Sequence, residues 1–347
     1  MTRPLPALQA LGRPWHVHEA EGWPHGGLGQ CLEGVIEMRP DAVIAGAGVI
    51  GLTMGVCLAE RGLKVRLRSR EVPASTTSAV ASAMIGPAMA AADDQAGMRE
   101  RTAIKDFTAL AGVDGTGVTL RRGRLVSRER GPSLPGMQTC APGDLPAGFA
   151  AGFWATLPLV DMPVYLSYLT NRLAAAGGEI EYGEVRSLSE LTETAPLVAN
   201  CTGLGARELV PDATVSSLRG QHVILDNPGL EDFFIEAPFG PAWAAYWPYP
   251  GHVVLGGIAV SGDETPEPDP AVAEQILRRC IQVEPRLAEA RVRGHQVGLR
   301  PLRPTVRVEA EQLGQARIVH NYGHGGSGVT LSWPTAREAA ALLTQES

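Results

Sequence analysis

Asp41-Ala-Val-Ile-Ala45-Gly46-Ala-Gly48-Val-Ile-Gly51-Leu52 is the stretch that decides how this chain folds. Residues 42–45 form a short apolar run of the kind that a strand buried on both faces requires. Gly46, Ala47, Gly48, Val49, Ile50 and Gly51 then fit G-x-G-x-x-G. In such a turn the first glycine makes the tight bend and the second lets backbone approach a pyrophosphate. The third lets helix and strand pack closely. Leu52, Val56 and Ala59 fall on one helical face between Leu52 and Arg61, and Gly62 stands as the stop. Leu63-Lys-Val-Arg-Leu67 returns as a second strand. A strand, turn, helix and strand in a span of roughly 30 residues is a βαβ unit whose helix N-terminus offers free N–H groups to phosphates.

Which dinucleotide it holds is left open by the second strand. Glu71 stands where an acidic residue would meet the ribose, but Arg68 and Arg70 crowd it. A carboxylate there fits FAD or NAD, whereas arginines fit the 2′-phosphate of NADP.

Outward from this unit, the chain has 347 residues, about twice the ~150 of a typical domain, so two domains are expected. Its 44% hydrophobic and 19% charged residues can build a core and exclude a largely disordered chain. The net charge is −7, and no basic cluster exceeds Arg121–Arg122, which argues against a nucleic-acid scaffold. No apolar run reaches the ~18 residues of a membrane span, and the N-terminus lacks the pattern of a secretion signal. Five scattered cysteines without a C-x-x-C pair fit a reducing cytoplasm and neither a disulfide framework nor zinc. Residues 1–37 show no periodicity and read as a mobile polar extension, dispensable for fold and activity. His16, His18 and His25 within it lack the carboxylates or cysteines that would complete a metal site, so no metal is expected.

Further along, Gly131–Gly148 reads as a long surface loop and Tyr165–Ala175 as a helix. Leu197–Asn200 is a buried strand, and His222–Leu225 and His252–Leu255 are strands of a second sheet. Asp269–Gln282 is a helix. The strand Ala316–His320 leads to a second glycine turn, Tyr322-Gly323-His324-Gly325-Gly326-Ser327-Gly328, and then a helix over Val329–Leu343. The chain therefore carries two helix N-termini suited to anionic or electron-rich ligand parts.

This second turn resembles the C-terminal H-N-Y-G-x-G-G-x-G motif of the D-amino-acid oxidase family of FAD enzymes. Other matches follow in the family's order over about residues 42–340: the first phosphate turn, Thr76-Thr77-Ser78 leading to Ala83-Met84 and Pro87, Leu159–Pro163, Asn200–Gly203, Arg219–Gln221 and Gly298-Leu-Arg300-Pro-Leu-Arg303-Pro304. The resemblance implies an α/β fold with a discontinuous Rossmann-type FAD-binding domain (38–90, 158–210 and 290–347) and a sheet-based substrate or interface domain (91–157 and 211–289). It implies FAD held by Gly46 to Gly51, by Arg70, by Thr76, Thr77, Ser78 and Ser82, by Val185, and by Gly323, Gly325, Gly326, Ser327, Gly328 and Thr330.

It also implies that Arg300 clamps the substrate carboxylate, in keeping with the two parallel donors of a guanidinium. Gly326 lies against the flavin and takes the amine. A pocket tyrosine is either Tyr246 or Tyr249, which face opposite ways on an extended segment; spacing favours Tyr246. Pro334 departs from the family pattern and is expected to shift or bend the last helix. Arg303 reads as structural, His320 as a buried loop anchor rather than a base, and Cys201 as a buried small residue. The activity implied is oxidative deamination of a D-amino acid with O₂ as acceptor, in a protein with no nucleic-acid or membrane partner and compatible with a homo-oligomer. Three rivals stay open: the same chemistry on glycine, sarcosine or an amino-acid-like intermediate, an NADP-dependent reductase, and a flavin binder without turnover.

Overall fold

The computed structural model describes residues 39–87, 94–130, 137–237 and 240–345; the expectation for residues 1–37 lies outside them. The opening unit forms as its sequence dictates: β1 (Ala42–Ala45), α1 (Val49–Ala59) and β2 (Val65–Ser69), with β1 and β2 parallel. Next come β3 (Ala83–Met84), α2 (Gln95–Leu110), β4 (Val118–Ser127), β5 (Gln138–Thr139) and β6 (Ala151–Val160). Then follow α3 (Met162–Ala175), β7 (Glu179–Tyr182), α4 (Leu188–Thr192), β8 (Leu197–Asn200) and α5 (Ala206–Leu209). The remainder is β9 (Ser216–Asp226), β10 (Phe233–Glu236), β11 (Ala242–Tyr249), β12 (His252–Ile258), β13 (Val260–Ser261), α6 (Pro270–Val283), β14 (Val292–Leu313), β15 (Ala316–His324) and α7 (Gly328–Thr344).

These strands make one mixed sheet in the order β3-β6-β4-β10-β11-β12-β9-β14-β15-β8-β1-β2-β7. At one end β15, β8, β1, β2 and β7 are parallel, the arrangement that connecting helices impose. The expected second sheet is continuous with the first. The 22-residue β14 pairs β9 through residues 292–302 and β15 through residues 302–313, so it runs from one half into the other. The segment read as a long loop carries β5 and a turn at Pro142–Asp144 within its described part.

Two helices depart from their sequence reading for packing reasons. In α1 every residue but Ile50 is buried, so it is not amphipathic. The parallel strands cover one side, and α3 and α7 cover the others, which is where a helix apolar all round belongs. Helix α7 runs through Pro334, in its second turn, although the proline cannot donate the i→i−4 bond. Buried Trp333, Ala336 and Ala340 pack it into the same core, and Trp333 donates to the Tyr165 hydroxyl at 2.8 Å. Helix α2 packs on α7 and is paired to it through Arg99–Glu338 and Arg337–Asp106, both 2.7 Å. No helix among the described residues is long and apolar enough to cross a membrane.

Candidate active site

A cavity of about 830 Å³ runs between the two glycine turns. Its floor at one end is Gly46, Ala47, Gly48, Val49 and Ile50, and at the other Gly325, Gly326 and Gly328. The N-cap residues Gly48 and Ser327 offer no side-chain cap of their own, and the N-termini of both α1 and α7 border the cavity. Gly46 needs its glycine, with φ +100° and the Cys201 carbonyl 2.6 Å from where a Cβ would stand. Gly51 lies outside the lining; a Cβ there would collide with the Gly46 carbonyl oxygen, so its role is the close helix–strand approach.

Thr76, Thr77 and Ser78 line the cavity over this turn, and Ser78 Oγ accepts the Val49 N–H at 3.0 Å. Arg70 and Val185 line the β2 end. The arginines there already face carboxylates: Arg66 meets Glu179 at 2.6 Å, Arg70 meets Glu71 at 3.0 Å, and Arg68 lies 3.8 Å from both Glu181 and Glu190. With its charge so offset, this end is poorly suited to the extra dianion of NADP. Asn321 is fully buried against the cavity with both amide atoms unpartnered among the described residues, an orphaned donor and acceptor of the kind a polar cofactor ring satisfies.

Arg300 lies on the same cavity. Its guanidinium rests flat on Gly220 of the neighbouring strand, where a Cβ would stand 2.6 Å from Cζ and from Nη1 and closer still to Nη2. Burial lowers its pKa, and no acidic partner for it is found among the described residues. With no acidic partner among the described residues, the two parallel donors of this half-buried guanidinium are left open to an anion. Arg303 is different: it meets Asp212 at 3.0 Å, and Asp212 also accepts from the Tyr322 hydroxyl at 2.8 Å.

Besides Gly51, five of the sequence-derived site residues lie outside the cavity lining. Tyr246 is one of them. It lies on the opposite face of β11, buried beneath α6, stacked on Phe234 at 5.6 Å, with burial pushing its hydroxyl up to about 12. Alternation along the strand instead turns Trp247 and Tyr249 toward the Arg300 face, although neither lines the cavity. Ser82 does not line the cavity either; its Oγ lies 3.2 Å from His222 Nε2. Gly323, Ser327 and Thr330 are likewise outside the lining, Gly323 having φ +85° and sitting against Arg303.

The sequence reading missed Gly220, His222, Asn321 and Tyr322, all on the cavity. Strand alternation was the available signal for the first two, since Arg219, Gln221 and Val223 point into the other face. His324 and His320 are poor bases. Burial takes His324 down to about 3 and lowers His320, which faces Asn200 at 3.3 Å. Cys201 is buried, which pushes its thiol up to about 12.

Residues 41–342 match the profile of the FAD dependent oxidoreductase family. The chain belongs to that family. Among curated relatives of this FAD dependent oxidoreductase, a D-amino-acid oxidase of Rubrobacter xylanophilus is 47% identical over 310 residues, covering 87% of this chain and 95% of the relative. A D-amino-acid oxidase of Streptomyces coelicolor is 44% identical, covering 89% and 98%. Of solved structures, glycine oxidase from Geobacillus kaustophilus superposes with a TM-score of 0.78 at 19% identity, covering 89% of this chain and 95% of that one, a likeness of fold.

Proposed function

We propose that this flavoenzyme oxidatively deaminates a D-amino acid to a 2-oxo acid, ammonia and H₂O₂. The observation that carries the reading is Arg300, an unpaired guanidinium laid on Gly220 in the cavity that also holds the phosphate turn. The names of the relatives at 44% and 47% identity support the substrate class. FAD, when bound, would supply the two-electron redox chemistry that the reaction needs.

The chain's own residues bind and orient. Gly46, Ala47, Gly48, Val49 and Ile50, with Thr76, Thr77 and Ser78, would hold the pyrophosphate. Arg70 and Val185 would border the adenosine, and Gly325, Gly326 and Gly328 the flavin edge. Arg300 would take both carboxylate oxygens and so set Cα–H toward the flavin, a proximity effect. No side chain is needed as base if the amine binds neutral, consistent with the depressed His222 and His324. We assign the cofactor half to 38–90, 158–210 and 290–347, with α2 added, and the substrate half to the rest of 91–289. The buried free thiols Cys57, Cys140, Cys201 and Cys280 support a reducing compartment such as the cytoplasm.

The test is an H₂O₂-coupled screen of the purified yellow protein against D- and L-amino acids, glycine and sarcosine. Turnover confined to D-amino acids is the expected result. Activity on glycine or sarcosine alone would replace the substrate, and no flavin bleaching with any of them would refute catalysis.

A further inference from the structure

His222 stands one row along β9 from Gly220 and lines the cavity beside Arg300, yet the reaction does not call on it. It is buried, and its ring meets the edge of Trp247 at 6.0 Å between centroids. An apolar residue would fill such a place at no polar cost. Both imidazole nitrogens are instead committed to one segment of chain. Nδ1 lies 3.1 Å from the Val80 carbonyl oxygen, and Nε2 lies 3.2 Å from Ser82 Oγ. A carbonyl only accepts, so Nδ1 carries the proton; Nε2 is then the acceptor, and Ser82 donates to it.

Val80 and Ser82 close the segment whose earlier residues, Thr76, Thr77 and Ser78, lie over the first glycine turn. Ser78 reaches the Val49 N–H at the start of α1. The segment also crosses β14, with Val80 Cγ2 3.1 Å from where a Cβ on Gly298 would stand, two residues before Arg300 on the same face. The phosphate end and the carboxylate end of one cavity therefore share a single tie.

We propose that His222 is a positioning residue: its two hydrogen bonds pin the loop 76–82 across the cofactor's pyrophosphate and lock that loop to the strand on which the Arg300 guanidinium rests. The inference rests on the loop covering the pyrophosphate, as in the reading above. Its consequence is that flavin retention depends on a side chain that belongs to the substrate wall.

The experiment uses the holoenzyme and four variants: His222→Leu, His222→Gln, Ser82→Ala and the Ser82→Ala/His222→Leu pair. The FAD dissociation constant is read from flavin fluorescence on serial dilution, with the melting temperature at saturating FAD alongside. Losing two hydrogen bonds should raise the constant about 30-fold in His222→Leu, and losing one about fivefold in Ser82→Ala. Glutamine, which offers one donor and one acceptor, should regain most of the loss. The pair should be no worse than His222→Leu alone, because its serine has already lost its partner. At equal excess FAD the melting temperature should fall by no more than the few degrees that the weaker binding itself accounts for. A parent-like constant in His222→Leu, or effects that multiply in the pair, would overturn the tie. Should His222→Leu not fold, a parent-like constant in Ser82→Ala does the same. The readout needs no turnover, so an enzyme that binds FAD but ignores D-amino acids would sink the proposed substrate without touching this test.

Discussion

Gly220→Ala probes the carboxylate clamp without removing its charge. The added methyl would stand 2.6 Å from Cζ and Nη1 of Arg300, where ordinary contact begins at 3.4 Å. The guanidinium must therefore retreat by about 1 Å, and as the far end of a flexible side chain it can do so at little cost to folding. Catalysis is less forgiving: a misplacement of about 1 Å at a positioning group costs on the order of 100-fold. The expected variant is yellow, melts within a few degrees of the parent, and shows kcat/KM for D-amino acids lowered about 100-fold. The loss should appear in both kcat and KM, because the displaced group both binds the carboxylate and sets Cα–H toward the flavin. The assay is H₂O₂ release over a range of substrate concentrations, paired with spectral titration by a carboxylate analogue that lacks the amine. Parent-like kcat/KM together with parent-like analogue affinity would show that Arg300 does not receive the carboxylate in this pose, and the clamp would have to be sought elsewhere on the cavity.

Removing the guanidinium by Arg300→Ala should cost about 3–5 kcal/mol of transition-state binding while flavin stays bound, and Arg300→Lys should recover only part because an ammonium lacks the fork; near-normal kcat/KM in the alanine variant would contradict the assignment. Gly48→Val places a β-carbon 3.2 Å from Ser78 Oγ in the phosphate cradle, so a folded but colourless protein is expected on purification, and stoichiometric flavin would refute the phosphate-turn role. Burial, and after it the neighbouring Arg300 charge, lowers His222 from 6.5 to about 4, so the unfolded chain binds this proton more readily than the folded one. The stability tied to it is whole above about pH 6.5 and drains as pH falls toward 4, by on the order of 3 kcal/mol. His222→Gln should flatten that acid limb in melting-temperature measurements across pH 4–7, and a limb of unchanged slope would count against the neutral imidazole.

Local chemistry carries what the chain reveals on its own. Gly46-Ala-Gly48-Val-Ile-Gly51 between an apolar run and a helix reads as a phosphate turn from its local pattern, although only Gly51 answers a nearby residue, Gly46; the neighbours crowding Gly46 and Gly48 are the distant Cys201 and Ser78. Helix α6 is local in the full sense, starting where Asp269 caps the N–H groups of Ala271 and Val272. Arg300 was legible through its motif. Tyr246 was not, because period-two alternation ranks neighbours on a strand without saying which face meets the cavity. That choice is made by what packs on each side: α6 with Ile276 and Cys280 claims the face of Tyr246, leaving Trp247 and Tyr249 for the other. His222 and Gly220 owe their importance to partners far away in the chain, since Val80 lies 142 positions from His222 and Gly220 lies under Arg300. The burial of α1 on every side also waited on the tertiary structure, because a helix cannot record in its own pattern how many neighbours will cover it.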